Sequence, residues 1–153
     1  MQLLGASLRT VHLEVTAPAR LGLVDITYDV GRIVEDAGVS EGVAWVFCQH
    51  TTCGILINEY EDGLTEDLGH RISGLVSDGY FAHDDLSRRT QNLQGPNEPP
   101  NGSAHVRQML FGATSQVVPI FKRELALGMW QRILFLELDD PRTRNILVTV
   151  LGA

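Results

Sequence analysis

The sequence predicts a single α+β domain, and two observations support this fold class. The chain has 153 residues, enough to bury one hydrophobic core without the help of disulfides. Strand-like segments are separated by only a few helical ones, and the chain ends in a run of strand-like segments. This order favours an α+β domain over the alternating βαβ units of a doubly wound sheet. We therefore expect residues 1–153 to form one domain.

The first part of the chain predicts two strands and a helix. Alternating apolar and polar residues indicate a strand over 7–16. Apolar residues at helical spacing predict an amphipathic helix over 25–38, with Gly38 at its end. An apolar run then predicts a buried strand over 43–49. Gly54 interrupts the extended segment that follows, which indicates a bulge or a close approach of another backbone segment.

From residue 59 the apolar spacing changes to that of a helix. The predicted apolar stripe consists of Tyr60, Leu64, Leu68, Ile72 and Leu75. An irregular segment rich in Asp, Asn, Gly and Pro follows over 77–102. A segment of this length without regular structure is typical of a functional or mobile loop.

The last third of the chain predicts one more helix and three strands. The helix covers 102–111, with Asn101 as its N-terminal cap and Gly112 at its end. Strand-like segments follow over 115–121, 131–139 and 145–151. Pro141 interrupts pairing between the last two strands, so the sequence predicts a hairpin loop over 139–142.

Charge and composition argue against several classes of function. The net charge is −7, whereas a general nucleic-acid-binding protein needs a basic surface. No run approaches the roughly 20 apolar residues of a membrane span, and the N-terminus lacks the pattern of a signal peptide. The two cysteines, Cys48 and Cys53, are too few for a disulfide framework and predict reduced, packed thiols. We therefore expect a cytoplasmic protein that binds neither nucleic acid nor membranes.

Polar residues that interrupt apolar segments indicate a functional site. His50 and the two threonines after it lie between strand-like runs, where polar side chains are costly unless they pair, bind a ligand or reach solvent. His83 lies in the irregular segment, and His105 lies near the start of a helix. Strand ends and helix starts often border one pocket, so the three histidines could converge as ligands of a divalent metal. The alternative for each is a capping or surface role.

Carboxylates and arginines near these positions could complete the site. Glu59 and Asp62 lie at a strand-to-helix turn, from which they could point back towards His50. Arg142 and Arg144 lie in the predicted hairpin, where guanidinium groups could hold a phosphate, unless they are solvated surface charges.

Two further positions are ambiguous. Arg107 follows His105 by two residues, so the two side chains cannot share one helix face. Trp130 and Gln131 follow a glycine in a turn, where a core or subunit contact is favoured over a stacking platform.

The candidate residues occur together in the order expected of one protein family. They are His50-Thr51-Thr52, Asn58-Glu59, Asp62, Asp67, His83-Asp84, Asn101, Ala104-His105, Gly112, Leu127-Gly128, Trp130-Gln131, Glu137, Pro141-Arg142 and Arg144. With these residues the chain resembles the secondary thiamine-phosphate synthase family from about Leu8 to Leu151. It departs from that family at Met129, Asp140 and Phe81, where threonine, glycine and tyrosine are usual.

The resemblance implies a twisted, largely antiparallel sheet of sandwich-like or barrel-like form, and a homotrimer. It implies a weak transferase that joins hydroxymethylpyrimidine diphosphate to thiazole phosphate, and the family's invariant histidines correspond to His50, His83 and His105. These are the residues that already suggest a divalent-metal site, for zinc or magnesium. In the resulting hypothesis, catalysis falls to Glu59, Asp62 and Asp67, and substrate binding to Asn58, Arg107, Trp130, Gln131, Arg142 and Arg144.

Two alternatives remain open at this point. The same metal could activate water in a hydrolase that acts on a phosphorylated or other small metabolite. The chain could instead be a non-catalytic trimeric protein that holds a metabolite. The sequence favours an enzyme, but it does not decide between these readings.

Overall fold

The computed structural model describes residues 5–153, so the first four residues of the predicted domain 1–153 lie outside the described residues. In chain order the elements are β1 (Ser7–Val15), β2 (Leu23–Asp25), α1 (Thr27–Ala37), β3 (Glu41–Cys48), β4 (Cys53–Asn58), α2 (Asp62–Leu75), a 3-10 turn (Ala82–Asp84), α3 (Gly102–Phe111), β5 (Ser115–Phe121), β6 (Glu124–Leu125), β7 (Arg132–Glu137) and β8 (Arg144–Gly152). Every strand pair within the described range is antiparallel. The predicted α+β class is therefore confirmed.

The strands form two sheets that curl into a half-barrel. The larger sheet has the order β1-β8-β3-β5-β6, and the smaller has the order β2-β7-β4. Strands with apolar residues on both faces, such as β7, lie in the middle of their sheet, as their near-continuous apolar sequence requires. The main core lies between the sheets and α1, and it includes Val30, Val34, Ala44, Val46 and Phe135.

The predicted hairpin over 139–142 is wrong. β7 pairs with β2 and β4, whereas β8 pairs with β1 and β3. Both edges of each strand are already occupied, so β7 and β8 cannot pair with each other. The connection between them instead crosses from one sheet to the other, and it carries Asp139, Arg142 and Arg144.

Two glycine predictions are confirmed. Gly38 ends α1 in the left-handed conformation, with φ of 68°, and its N–H donates to the carbonyl of Glu35. At Gly54, β4 comes close to the backbone of Gly112. If a Cβ were added to Gly54, it would lie 2.8 Å from the Cα of Gly112. This approach lets the Ile55 N–H donate to the carbonyl of Ala113 at 2.7 Å.

Helix α2 packs less of its surface than its apolar stripe predicts. It begins at Asp62, because the Glu61 carboxylate accepts hydrogen bonds from the N–H groups of Gly63 and Leu64. Ile72 is buried, but Leu75 is 72% exposed. None of the helices within residues 5–153 has the length and apolarity that a membrane span requires.

The two cysteines lie next to each other at facing ends of β3 and β4. Both thiols are free and buried, and their sulfur atoms are 3.7 Å apart. The turn between them, residues 49–52, carries His50.

Candidate functional site

An open cavity of about 860 Å³ lies where four connections meet. These are the turn between β3 and β4, the 3-10 turn with the loop after it, the start of α3, and the connection from β7 to β8. All three predicted histidines line the cavity, as do three arginines: His50, His83, His105, Arg89, Arg142 and Arg144. The fold therefore brings together side chains that lie up to about a hundred residues apart in sequence, which is what a built site requires.

His83 and His105 form a close pair at this cavity. Their ring centroids are 4.5 Å apart and the ring planes are tilted by 52°. The Asp84 carboxylate holds them together, since it accepts the N–H groups of Asn101 at 3.0 Å and Gly102 at 2.8 Å. These N–H groups belong to the first turn of α3, so Asp84 fastens the turn that carries His83 to the helix that carries His105.

The predicted capping role of the Asn101 side chain is wrong. Asn101 stands at the N-cap position of α3, but its side chain makes no capping hydrogen bond. Its amide instead donates to Asp139 at 3.2 Å, and the Asp84 carboxylate supplies the cap from outside the helix. This exchange links α3 to the connection between β7 and β8.

His50 acts as a hydrogen-bond acceptor towards the backbone. Its Nε2 accepts the N–H of Asn145 at 2.9 Å. A backbone N–H only donates, so Nε2 carries no hydrogen, and the neutral ring keeps its hydrogen on Nδ1. Burial, followed by the charge of Arg144, lowers the pKa of His50. The imidazole therefore lines the cavity in the neutral form, with Nδ1–H as its donor.

Arg89 imposes the same arrangement on His83. Its Nη1 lies 3.2 Å from His83 Nε2, and a guanidinium has no acceptor, so this ring also accepts through Nε2 and keeps its hydrogen on Nδ1. Arg89 is itself held by Glu98 at 2.8 Å and by the carbonyls of Gln91 and Asn92. A single arginine thus organises the loop beside His83.

His105 differs from the other two histidines. No hydrogen-bond partner for its ring occurs within residues 5–153, so its lone pair is available to a ligand. Burial, followed by the neighbouring His83 and Arg89 side chains, lowers the pKa of His105. At neutral pH this ring is a neutral base beside the donor His83.

The wall below the histidines consists of paired charges. Arg144 Nε and Nη2 donate to the two carboxylate oxygens of Glu137, each at 2.7 Å, and both residues are buried. Arg142 pairs with Asp139 in the same connection. Arg144 is therefore a buried member of the cavity wall, and the alternative of a solvated surface charge does not hold for it.

The donors do not fit a metal held by His50, His83 and His105. Metal binding needs an imidazole nitrogen with a free lone pair. In His50 and His83 that lone pair already accepts an N–H, and the Arg89 charge beside His83 opposes a cation. Across the range 5–153, no cluster of three or more His, Cys, Asp or Glu side chains is arranged to hold a metal ion. The zinc or magnesium assignment stays a prediction, and no step of the proposal below depends on it.

Several predicted site residues lie away from the cavity wall: Asn58, Glu59, Asp62, Asp67, Arg107, Trp130 and Gln131 are absent from its lining. Arg107 is buried on another side of α3, where its Nε and Nη2 donate to the Val76 carbonyl at 3.1 and 2.7 Å. Trp130 is 66% exposed. Their catalytic and substrate-binding roles stay predictions. Within a single subunit these residues do not share the cavity of the histidines, so its lining gives those roles no support.

Sequence reasoning missed Arg89, Glu98 and Asp139. The first two lie in the irregular segment, whose composition marks a functional loop but does not indicate which of its charges turn inward. Asp139 was assigned to a hairpin loop, where an aspartate is ordinary. Only the crossing between sheets brings it to the cavity.

The depressed pKa of His50 predicts a loss of stability in mild acid. The unfolded chain takes up a proton on this histidine at about pH 6.5, while the folded protein resists until lower pH. Stability is therefore fully present above about pH 6.5 and declines as the pH falls towards the folded pKa. The free energy of unfolding would be measured with denaturant across pH 4.5–8. His50→Gln keeps an acceptor for the N–H of Asn145, and it should lose less of this free energy at low pH than the wild type does. An identical pH profile in the variant would contradict the role of His50.

Comparison with known proteins connects the chain to one family. The model of the UPF0047 protein YjbQ-like family matches residues 11–153. A UPF0047 protein of Archaeoglobus fulgidus is 39% identical over 142 residues, which cover 92% of this chain and 100% of that protein. Another, from Methanothermobacter thermautotrophicus, is 35% identical over 144 residues, covering 94% and 92%.

Solved structures agree with this result. A YbjQ-like protein of unknown function from Sulfolobus solfataricus superposes with a TM-score of 0.82 at 31% identity, covering 97% of this chain and 99% of that chain. A hypothetical protein from Aeropyrum pernix gives a TM-score of 0.81 at 32% identity, covering 95% and 99%.

These matches overturn the resemblance to secondary thiamine-phosphate synthase. The matching model and the relatives are described as UPF0047 proteins, and the Sulfolobus structure as a protein of unknown function. The residues that suggested the synthase share an order along the chain, which identifies a fold and the position of a site but not a reaction. The transferase activity implied by that resemblance is withdrawn with it.

Proposed function

We propose a function for this chain, which belongs to the UPF0047 YjbQ-like family: it is an enzyme that binds a small polar metabolite in the histidine-lined cavity and uses His105 as a general base. The observation that carries the proposal is the pair of His83 and His105, 4.5 Å apart at the wall of an open cavity. A neutral base beside a hydrogen-bond donor is an arrangement that general-base catalysis uses.

The three histidines would take different roles in this reaction. His105 has a free lone pair and a lowered pKa, so it would accept a proton at neutral pH. His50 and His83 keep hydrogens on Nδ1, which could donate to an oxygen on which negative charge develops. Arg142 and Arg144 would orient the metabolite. We propose that His105 takes this proton from water while the water oxygen bonds to the metabolite. The bond to the leaving group then breaks, and the proton passes from His105 to that group, so that the overall reaction is a hydrolysis.

The proposal predicts a large loss of turnover in His105→Gln. The low-molecular-weight fraction of a cell extract would be incubated with protein, and its metabolites followed in time by mass spectrometry. The wild type should consume at least one metabolite, and His105→Gln should slow that consumption by about 10²–10⁴-fold, the usual contribution of a general base. His70→Gln is the matched control, because His70 is exposed on α2 and does not line the cavity.

A second outcome would favour the non-catalytic alternative. If the wild type retains a metabolite through gel filtration but changes none over time, the cavity is a binding site and the general base assigned to His105 is wrong. Equal consumption by wild type and His105→Gln, with both proteins folded, would also contradict the proposal.

We also propose that the chain is a homotrimer in the cytoplasm. An exposed apolar face on the larger sheet supports an assembly, since Trp45 lies directly between Val117 and Thr149, and Leu8 and Leu151 follow beside them. Light scattering of the purified chain should give three times the monomer mass, and Trp45→Glu should lower that mass. A monomeric wild type would contradict the trimer without affecting the cavity.

A further inference from the structure

Every arginine that lines the cavity is already paired with a carboxylate. Arg89 pairs with Glu98 at 2.8 Å, Arg144 with Glu137 at 2.7 Å, and Arg142 with Asp139. The positive and negative charges of this wall therefore cancel one another. A wall of this kind has little net charge to offer a ligand that carries several negative charges.

Arg144 nevertheless retains one donor for a ligand. The side chain is held rigidly by Glu137, and the residue is only 4% exposed. Its Nη1 donates to no acceptor within the described residues 5–153, although the residue lines the cavity. Among the described residues, Arg144 Nη1 is not one of the nitrogens that are buried without a partner, so it reaches the open cavity, where a ligand oxygen can accept its N–H. Nη1 is thus a fixed donor for one anionic oxygen.

We infer that the cavity takes a small metabolite with a single negative charge, of the carboxylate type, anchored at Arg144 Nη1. A carboxylate places one charge on this donor. The further charges of a diphosphate would face Glu98 and Asp139, and no cation of the wall would be left unpaired to compensate them. This inference rests on the proposed function, because it takes the cavity to be the ligand site.

The experiment is a titration with small anions, followed by nuclear magnetic resonance of the arginine side chains. Acetate, inorganic phosphate and pyrophosphate would be added at constant ionic strength and pH 7, and the Nε–H signal of Arg144 recorded. We expect a saturable shift with acetate, and pyrophosphate binding that is weaker by about tenfold or more, equivalent to about 1.4 kcal/mol. Arg107 is the internal control, since it is equally buried but absent from the cavity wall.

The charge argument has a separate test in Glu98→Gln. This change removes one carboxylate from the wall and frees Arg89, while it leaves the buried Glu137 pair intact. Pyrophosphate should then bind about tenfold more tightly than to the wild type, whereas acetate, which carries fewer charges, should gain much less affinity. An unchanged ratio of the two affinities in this variant would contradict the role of the paired charges.

Two results separate this inference from the function on which it rests. If pyrophosphate binds the wild type at least as tightly as acetate and shifts Arg144, the inference is overturned, while the cavity remains a ligand site. If none of the anions shifts Arg144 or the ring signals of His105, the cavity is not an anion site, and both the inference and its premise fail.

Discussion

Replacing Glu137 with alanine should lower the free energy of unfolding by about 3–5 kcal/mol, the usual cost of leaving one member of a buried ion pair alone. Glu137 is fully buried, and its two carboxylate oxygens accept hydrogen bonds from Nε and Nη2 of Arg144, each at 2.7 Å. One of these oxygens also accepts the N–H of Asp139 at 3.0 Å. The substitution would therefore strand a buried guanidinium charge and a buried backbone donor together. Urea unfolding at pH 7 measures the effect.

Two further variants separate the buried pair from ordinary surface charge. Asp140→Asn removes the carboxylate that pairs with Arg20 at 2.8 Å, but this pair is largely exposed, so the loss should be about 0–1 kcal/mol. The double variant Glu137→Leu with Arg144→Leu should recover most of the stability lost in Glu137→Ala, because no charge is left unpaired. It should nevertheless lose the acetate response of the cavity. A loss below about 1 kcal/mol in Glu137→Ala would contradict the buried pair.

Local sequence patterns were sufficient to predict most elements, but they could not predict how the strands pair. The ends of α1 and α3 follow from Gly38 and Gly112, and β3 follows from its apolar run. Strand pairing depends on which edges remain free after distant segments have met. The assignment of 139–142 to a hairpin failed for this reason. The short strand β2 was also missed, since its three residues form a pattern only beside β7.

The same distinction applies to the site. The three histidines could be found from the sequence, because His50 lies between two apolar runs, His83 in an irregular segment typical of functional loops, and His105 near the start of a helix. Their protonation could not be found, because it depends on donors from remote segments, the Asn145 backbone for His50 and the Arg89 side chain for His83. Residue type alone did not show that two of the rings accept an N–H from the protein while the His105 ring has no such partner within residues 5–153.

Gly102→Ala should both destabilise the protein and separate the histidine pair. A Cβ at this position would lie 2.5 Å from the Cβ of Phe81 and 3.1 Å from an oxygen of Asp84. The first turn of α3 would have to move away from the 3-10 turn, and the two N–H groups that Asp84 accepts would move with it. Overpacking of this kind costs about 1–3 kcal/mol.

The matched control is Gly69→Ala, in the middle of α2, where no atom lies within 4 Å of the added Cβ. Alanine is a better helix former than glycine, so this control should gain up to about 1 kcal/mol while Gly102→Ala loses stability. The two substitutions add the same methyl group and should act with opposite signs. In Gly102→Ala the pKa of His105 should rise towards its ordinary value, because burial and the adjacent His83 side chain lower it in the wild type. A histidine titration that matches the wild type would mean that the contact between Asp84 and the start of α3 does not hold the pair together.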